Sequence, residues 1–314
     1  MSDESKMNAP NHTITEFELE EAVSQLETVR DLLRWCFTKF SQSDLFYGHG
    51  TDNAWDEAVA LVFMSLELPF DLPEGMLDSK LTLSEKKLLV ERTNRRIKDK
   101  TPVAYLTNKA IFCDSEYYVD QRVLIPRSPI AELIENQFEP WVNSSKVANI
   151  LDLCTGSGCI AIACSQYFPE ALVDGGDISS DCIQVAELNR ERLGQDNVAF
   201  YQSDLFENIP NKKYDIIVSN PPYVDEEDFA EIPDEFLAEP KLGLTSGSDG
   251  LALTKKLLAQ AFNYLSDEGI LVVEVGNSAL ALEEEYPDIE FTWLDFERGG
   301  QGVFVLTKEQ LNGI

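Results

Sequence analysis

The sequence predicts an α/β protein in which a small helical domain precedes a doubly wound, mostly parallel sheet with a terminal antiparallel hairpin. Two observations support this prediction. Residues 1–100 carry helical patterns, and after Pro126 apolar strand patterns alternate with helical ones. Such alternation is typical of a parallel sheet with helices on both faces. The length of 314 residues agrees with two domains, because one domain usually has about 100–200 residues.

The first 100 residues read as three main helices. Apolar residues recur every three or four positions through residues 14–40, which predicts one long amphipathic helix. Asp52 or Asn53 is placed to cap a second helix, and Ser84 a third. We therefore expect a helical domain over residues 1–100.

The next segment changes to a β-rich pattern. The stretches AYLTNKAIF and EYYVDQRVLI are separated by Cys113–Ser115, which predicts a β-hairpin linker over residues 101–125. From residue 126 to 314, a helix that starts at Ser128–Pro129 leads into the alternating strands and helices. The last two strands are separated only by residues 297–302, which favours an antiparallel hairpin at the end of the sheet.

Composition and charge narrow the possible partners. Hydrophobic residues make up 44% of the chain, and 25 basic residues against 56 acidic ones give a net charge of −31. This charge repels phosphate backbones and anionic membranes, so we expect neither DNA nor a membrane surface as a partner. Apolar runs stay below the roughly 20 residues of a membrane helix, and the N-terminus lacks a signal-peptide pattern, which predicts a cytoplasmic location.

The cysteines and one acidic stretch need separate interpretation. Six cysteines without a C-x-x-C pair predict free thiols, and no metal site is expected because histidines are absent near Cys154, Cys159 and Cys164. Residues 225–240 contain eight acids and no base. Two interpretations stay open for this stretch, a solvated loop and a docking surface for a basic partner.

A glycine-rich loop marks a ligand site. The first strand of the alternating region runs into Asp152, then Gly156 and Gly158, then a helix. Glycines let the backbone approach a ligand at the carboxyl end of the first strand, where open α/β sheets bind cofactors. The spacing also fits the dinucleotide fingerprint, so the loop alone does not identify the cofactor.

Acidic residues follow the next two strands. Asp177 ends the second strand, where a carboxylate can accept both hydroxyls of a ribose. After the third strand, Asp204 is placed to accept the exocyclic amine of adenine, although it also suits a turn or helix cap. These residues predict a nucleoside site for either NAD or S-adenosylmethionine.

The segment Asn220–Tyr223 (NPPY), directly after the fourth strand, favours one of these cofactors. Two prolines fix φ and remove two N–H donors, which leaves a rigid turn with acceptors beside the Asn220 amide oxygen. Acceptors without a base suit a planar NH₂ group, whose nitrogen must be aimed at an electrophile. We expect the Tyr223 ring to cover that group and to face a sulfonium. An NAD oxidoreductase leaves this turn without a role.

Residues 152–156 (DLCTG) together with the NPPY turn resemble the class I, S-adenosylmethionine-dependent methyltransferases of the HemK-like protein-glutamine family. The resemblance extends over nearly the whole chain, including residues 102–106 and 125–129. Arg127–Ile130 is similar to the branch that methylates large-subunit ribosomal protein L3. Further segments also resemble that branch: residues 239–244, 247–250, 274–277, 291–294 and 302–304.

The resemblance implies an enzyme that moves a methyl group from S-adenosylmethionine to a glutamine side-chain amide of L3, with the helical domain recognising the substrate. It implies cofactor contacts in three groups: Asp152, Leu153, Cys154, Thr155 and Gly156 at the methionine part, Asp177 at the ribose, and Asp204 and Leu205 at the adenine, with Asn220 also near the cofactor. It further implies that Asn220, Pro221, Pro222 and Tyr223 bind the glutamine and that Asn220, Pro221 and Tyr223 are the catalytic residues.

Two departures from the family pattern are visible. Leu205 stands where release-factor enzymes often have tryptophan, and Cys154 stands where glycine is common. A cysteine at this position suggests a loop that does not need a positive φ there.

Three other functions remain as alternatives to the L3 methyltransferase. A peptide chain release factor glutamine methyltransferase shares the NPPY turn. An adenine-amino DNA methyltransferase fits the same turn, but the net charge argues against it. A non-enzymatic acidic chaperone for a basic ribosomal protein explains the charge but none of the motifs.

Overall fold

The computed structural model describes residues 13–247 and 250–312, without the side chains of residues 226–228. It divides the chain into two compact units. The first contains the chain up to Lys109 together with Pro233–Ala238, and the second contains Ala110–Ile232 and the chain from Glu239 onward. Every helix in the described ranges is too short or too polar to cross a membrane.

The first unit is helical and has its own apolar core, in which Leu32, Phe40, Leu61 and Leu89 are fully buried. Its helices are α1 (Glu16–Gln25), α2 (Val29–Ser41), α3 (Ala54–Ser65), α4 (Leu83–Lys98) and α5 (Val103–Thr107).

The prediction of one helix over residues 14–40 is wrong. The chain leaves the helical conformation at Leu26, and Thr28 begins α2 with a capping box. The Thr28 side chain accepts from the Asp31 N–H, and the Asp31 carboxylate accepts from the N–H groups of Glu27 and Thr28. These local hydrogen bonds satisfy the free donors of a new helix start, so they outweigh the continuous apolar pattern.

Residues 103–118 form a helix followed by a hairpin. The hairpin is present as β1 (Lys109–Phe112) and β2 (Ser115–Tyr118), with Cys113 and Asp114 at φ of 43° and 58° in the tight turn between them. Residues 104–107, predicted as part of a strand, lie in helix α5 (Val103–Thr107), and all five residues of that helix are buried. A short apolar run that is buried on every side has no helical or strand periodicity, so its type cannot be derived from the pattern.

The second unit is a seven-stranded sheet in the order β5-β4-β3-β6-β7-β9-β8. The pairs from β5 to β7 are parallel, and β7–β9–β8 are antiparallel, which confirms the predicted doubly wound sheet with its terminal hairpin. The strands are β3 (Asn149–Leu153), β4 (Leu172–Asp177), β5 (Val198–Gln202), β6 (Tyr214–Ser219), β7 (Leu265–Glu274), β8 (Thr292–Trp293) and β9 (Val303–Thr307). The helices are α6 (Ile130–Glu135), α7 (Cys159–Tyr167), α8 (Ser180–Leu193), α9 (Glu226–Glu231), α10 (Ala252–Ala261) and α11 (Ala279–Glu285).

The strand order creates a switch point beside β3. The chain moves outward from β3 to β4 and β5, then returns to place β6 on the other side of β3. Open α/β sheets bind ligands outside the carboxyl ends of the strands at such a point. Apolar clusters cover both faces of the sheet, with Ile150 in one cluster and Leu151 and Leu153 in the other.

The acidic stretch 225–240 is not simply a solvated loop. Glu235 and Glu239 are 2% and 5% exposed. Within the helical unit, Glu235 Oε1 accepts from Arg96 Nη1 at 3.2 Å and from the Phe46 N–H at 2.9 Å. Arg96 also donates from Nε to Glu57 Oε1 at 2.6 Å. The helical unit therefore includes a late segment of the chain, and the predicted domain limits of 1–100, 101–125 and 126–314 stay predictions.

We expect Arg96→Ala to destabilise the helical unit by about 3–5 kcal/mol, because it leaves Glu57 buried without its cation and Glu235 with only Lys100, at 3.9 Å. Arg95→Ala, on the exposed side of the same helix, should change the stability by less than about 0.5 kcal/mol. Hydrogen exchange of the α3 and α4 amides measures the local free energy of opening. Equal protection in the two variants would contradict a structural role for this ion cluster.

Candidate active site

A cavity lies at the carboxyl ends of β3, β4, β5 and β6. The strand ends contribute Gly156 after β3, Asp177 at the end of β4, Asp204 after β5, and Asn220 after β6. The sequence predicted that these four residues share one site, and the structure brings them together. The other predicted residues on the cavity wall are Cys154, Leu205 and Pro222.

The glycine loop between β3 and α7 has an unusual backbone. Gly156 and Gly158 have φ of 54° and 80°, and Cys154 has φ of 59°. The expectation that Cys154 avoids a positive φ is therefore wrong. A Cβ on Gly158 would lie 2.8 Å from the Phe200 ring, so glycine is required there for close packing. A positive φ at a non-glycine residue is a strained conformation. Residues in this conformation are concentrated at functional sites, where the surrounding structure fixes them.

Asp152 lies behind the loop rather than on the cavity wall. It is fully buried, and its Oδ2 accepts from the Thr155 hydroxyl and from the Ala161 N–H at 3.1 Å. Its Oδ1 has no hydrogen-bond partner among the described residues. Burial raises the pKa of Asp152 to about 7. Asp152, Leu153 and Thr155 thus support the loop from below, and their predicted contact with a methionine group stays a prediction.

Asp177 connects the loop to the next helix. Its Oδ2 accepts from the Gly156 N–H at 3.0 Å, and its Oδ1 accepts from the Ser179 N–H at 2.9 Å. Burial raises the pKa of Asp177, although these two N–H groups oppose that effect. Each carboxylate oxygen has a second lone pair. Asp177 can therefore accept ribose hydroxyls while it holds the loop.

The turn after β5 supplies an apolar wall. Leu205 is 6% exposed and has a φ of 47°. Ser203 holds this strained turn, because its hydroxyl donates to the Leu205 carbonyl at 2.7 Å and accepts from the Asn208 N–H at 2.9 Å. Asp204, next to Leu205, offers a carboxylate at the same wall. This combination suits a base with an exocyclic amine.

The NPPY turn follows β6, and its members lie in different environments. Asn220 and Pro222 line the cavity, whereas Pro221 is buried and Tyr223 is half-buried. The Tyr223 hydroxyl donates to Glu274 Oε1 at 3.0 Å. Burial and the nearby Glu274 carboxylate raise the pKa of Tyr223 above its ordinary value, so the hydroxyl stays protonated. Tyr223 is therefore not a base.

The sequence analysis did not assign nine further residues of the cavity wall, two of which directly follow β4. Arg122 lies on this wall, and its guanidinium binds Asp120 with contacts of 2.7 Å and 2.9 Å. Three of the nine lie in the segment 239–244 that resembles the family, but no spacing in the sequence indicates that any of the nine contacts a ligand. They are Arg122, Leu124, Ile178, Ser179, Cys182, Pro240, Leu242, Gly243 and Leu253.

No group of three His, Cys, Asp or Glu side chains in the described part of the chain is arranged to hold a metal ion. The six cysteines are free thiols.

The sheet order, the glycine loop at the switch point and the acceptor turn on the neighbouring strand define a class I methyltransferase fold. A family model described as methyltransferase small domain matches residues 140–250. Among solved structures, the T. thermophilus 16S rRNA N2 G1207 methyltransferase in complex with AdoMet and guanosine has a TM-score of 0.45 and 17% identity, covering 63% of this chain and 49% of that chain.

Two relatives are each named ribosomal protein uL3 glutamine methyltransferase. The protein from Francisella tularensis subsp. tularensis is 45% identical over 294 residues, which cover 93% of this chain and 94% of the relative. The protein from Neisseria gonorrhoeae is 44% identical over 295 residues, which cover 93% of this chain and 98% of the relative. The chain therefore belongs to the family of ribosomal protein uL3 glutamine methyltransferases. The predicted fold class, family and enzyme class are confirmed.

We expect Asp177→Ala to weaken binding of S-adenosylmethionine by roughly 1.5–3 kcal/mol, the scale of hydrogen bonds to a charged group. Asp177→Asn keeps one acceptor oxygen, so its affinity for S-adenosylmethionine should lie between those of the parent and the alanine variant. Asp181→Ala, an exposed acid on α8, serves as the control and should bind normally. Titration calorimetry measures the affinities. Unchanged affinity in Asp177→Ala, or tight binding of NADH by the parent protein, would contradict the assignment of Asp177 to an S-adenosylmethionine site.

Proposed function

We propose that this protein transfers the methyl group of S-adenosylmethionine to the side-chain amide nitrogen of a glutamine in ribosomal protein uL3. The observation that carries the proposal is the rigid turn Asn220–Tyr223 beside the cavity of Gly156 and Asp177, in a chain 45% identical to a protein of that name. A ribosomal protein substrate also agrees with the predicted cytoplasmic location.

The cavity residues fit S-adenosylmethionine. Asp177 offers carboxylate oxygens to a ribose, and Leu205 and Ile178 offer apolar surface beside Asp204 for an adenine. Gly156 leaves open space above the loop, because a Cβ there would meet no atom within 4 Å. When bound, this cofactor supplies an electrophilic methyl group on a positively charged sulfur.

The acceptor turn suits an amide nitrogen. The lone pair of an amide nitrogen is delocalised, so the enzyme must hold the NH₂ group in the direction of attack. The Asn220 side-chain oxygen and the Pro221 carbonyl are acceptors, and neither Pro221 nor Pro222 has an N–H that would compete for them. The nitrogen gains the methyl group and loses one proton to solvent or to a backbone acceptor. Asn220, Pro221 and Tyr223 are the proposed catalytic residues, with Pro222 completing the substrate site.

The substrate assignment has a direct test. The purified protein is incubated with methyl-labelled S-adenosylmethionine and undermethylated ribosomal proteins, and the labelled residue is located by mass spectrometry. We expect one glutamine of uL3 to carry the label. Label on a release factor but not on uL3, or on adenine in DNA, would instead support one of the alternative methyltransferases. Binding of uL3 without any transfer would support the chaperone alternative. The helical unit is the proposed recognition element for uL3.

We expect Asn220→Ala to lower turnover by about 10²-fold or more with little change in affinity for S-adenosylmethionine, because it removes an acceptor that aims the amide. Asn263→Ala removes an exposed asparagine outside the cavity and should behave like the parent protein. Single-turnover methylation of uL3 and calorimetric cofactor binding separate the two effects. Near-normal methylation by Asn220→Ala would remove this residue from the mechanism.

A further inference from the structure

Glu274, the last residue of β7, is a buried carboxylate beside the NPPY turn. It is 6% exposed. Its Oε1 accepts from the Tyr223 hydroxyl at 3.0 Å, and its Oε2 accepts from the Ser128 hydroxyl at 2.5 Å. Ser128 Oγ itself accepts from the Ile130 N–H at 3.2 Å, so the Ser128 proton is directed to Glu274. Both oxygens of Glu274 are thus used by donors from two separate segments.

A second buried carboxylate fixes the segment that carries Ser128. Glu239 binds the Arg127 guanidinium with contacts of 2.7 Å and 2.8 Å and accepts from the Ile125 N–H at 2.9 Å. The Arg127 charge also favours the ionised form of Glu274, whose pKa is raised by burial. Glu274 therefore contacts two hydroxyl donors and lies near the Arg127–Glu239 ion pair, and the two donors stabilise its buried negative charge.

Close packing leaves the Tyr223 ring and carbonyl little freedom. A Cβ on Gly276 would lie 2.6 Å from the ring, and a Cβ on Gly250 would lie 2.3 Å from the Tyr223 carbonyl oxygen. The Ser278 hydroxyl donates to that oxygen at 3.2 Å. The ring is confined by backbone atoms, and the hydroxyl is confined by Glu274.

We propose that Glu274 is a positioning residue for the acceptor turn: it holds Tyr223 by its hydroxyl and so fixes the direction in which Asn220 presents its amide oxygen. This inference rests on the proposed function, because that orientation matters only when the turn aligns an acceptor nitrogen. Tyr223 lies three residues after Asn220, and the intervening Pro221 and Pro222 have fixed φ, so an anchor at Tyr223 restricts the whole turn. The carboxylate is needed in its ionised form, because a protonated acid offers a donor to hydroxyls that are already donors.

The test compares Glu274→Gln, Tyr223→Phe and the double variant with a control, Glu284→Gln, which changes an exposed acid on α11. We expect Glu274→Gln to lower kcat for uL3 methylation by about tenfold or more while KM for uL3 and the affinity for S-adenosylmethionine stay near those of the parent. Because Glu274 acts through the Tyr223 hydroxyl, the double variant should be no slower than Tyr223→Phe alone.

Two readouts separate positioning from a general loss of structure. In the parent protein, kcat should rise with pH as Glu274 ionises, above the ordinary glutamic acid pKa of about 4.3, and Glu274→Gln should lack this step. In protein with ¹³C-labelled tyrosine, the Tyr223 ¹³Cζ resonance should shift in Glu274→Gln and stay in place in Glu284→Gln.

The outcomes distinguish this inference from the proposed function. Parent protein that fails to methylate uL3 overturns the proposed function, whatever the tyrosine resonance shows. Parent protein that methylates uL3 while Glu274→Gln keeps full kcat overturns the positioning role. Rate losses that add in the double variant also overturn it, because Glu274 then acts by a route other than Tyr223.

Discussion

Two acidic side chains, the buried Asp152 and the half-buried Asp177, hold the glycine loop after β3, and the geometry of the site depends on them. Asp152 accepts from Thr155 and Ala161 below the loop, and Asp177 accepts from Gly156 at its edge. Three residues of this loop have positive φ, including Cys154, for which that conformation is unfavourable. These hydrogen bonds satisfy the loop's backbone and side-chain donors and offset the strain of a loop that would otherwise relax.

Strand pairing connects the glycine loop to the acceptor turn. Because β6 pairs with β3 in parallel, the turn after β6 lies next to the loop after β3. Ser219, the last residue of β6, donates its hydroxyl to the Leu153 carbonyl at 2.7 Å. The residues proposed for cofactor and substrate binding are therefore attached to adjacent strands in one register. A rigid sheet supplies the precision that alignment of two reactants needs.

The sequence predicted the sheet and most of its strand ends, because long alternating patterns and motifs at strand ends are local signals. It did not predict features that depend on tertiary contacts. The conformation of Cys154 depends on how Asp152 and Asp177 hold the loop, and the burial of Glu235 depends on Arg96, 139 residues away. The break before Thr28 had a local signal, because Thr28 and Asp31 form a capping box, but the apolar periodicity masked it.

The net charge of −31 overstates the negative charge that a basic substrate meets at the surface. In the stretch 225–240, Glu235 and Glu239 are used inside the protein, where they neutralise Arg96 and Arg127. Glu231 and Asp234 are exposed, and only such acids can attract a cation from solution. The hypothesis of a docking surface therefore rests on fewer charges than the sequence indicated.

The hydrogen bonds of the acids and hydroxyls around the acceptor turn also limit the possible catalytic mechanisms. Glu274 is engaged by Ser128 and Tyr223, Glu239 by Arg127, and the Tyr223 hydroxyl donates rather than accepts. No group in this set is placed to remove a proton before attack. An amide nitrogen is so weakly acidic that early deprotonation by a carboxylate would be ineffective, whereas the nitrogen becomes strongly acidic once it is alkylated. A site built to orient the nitrogen and to release its proton afterward needs acceptors and rigidity, and these are what Asn220, Pro221 and Pro222 provide.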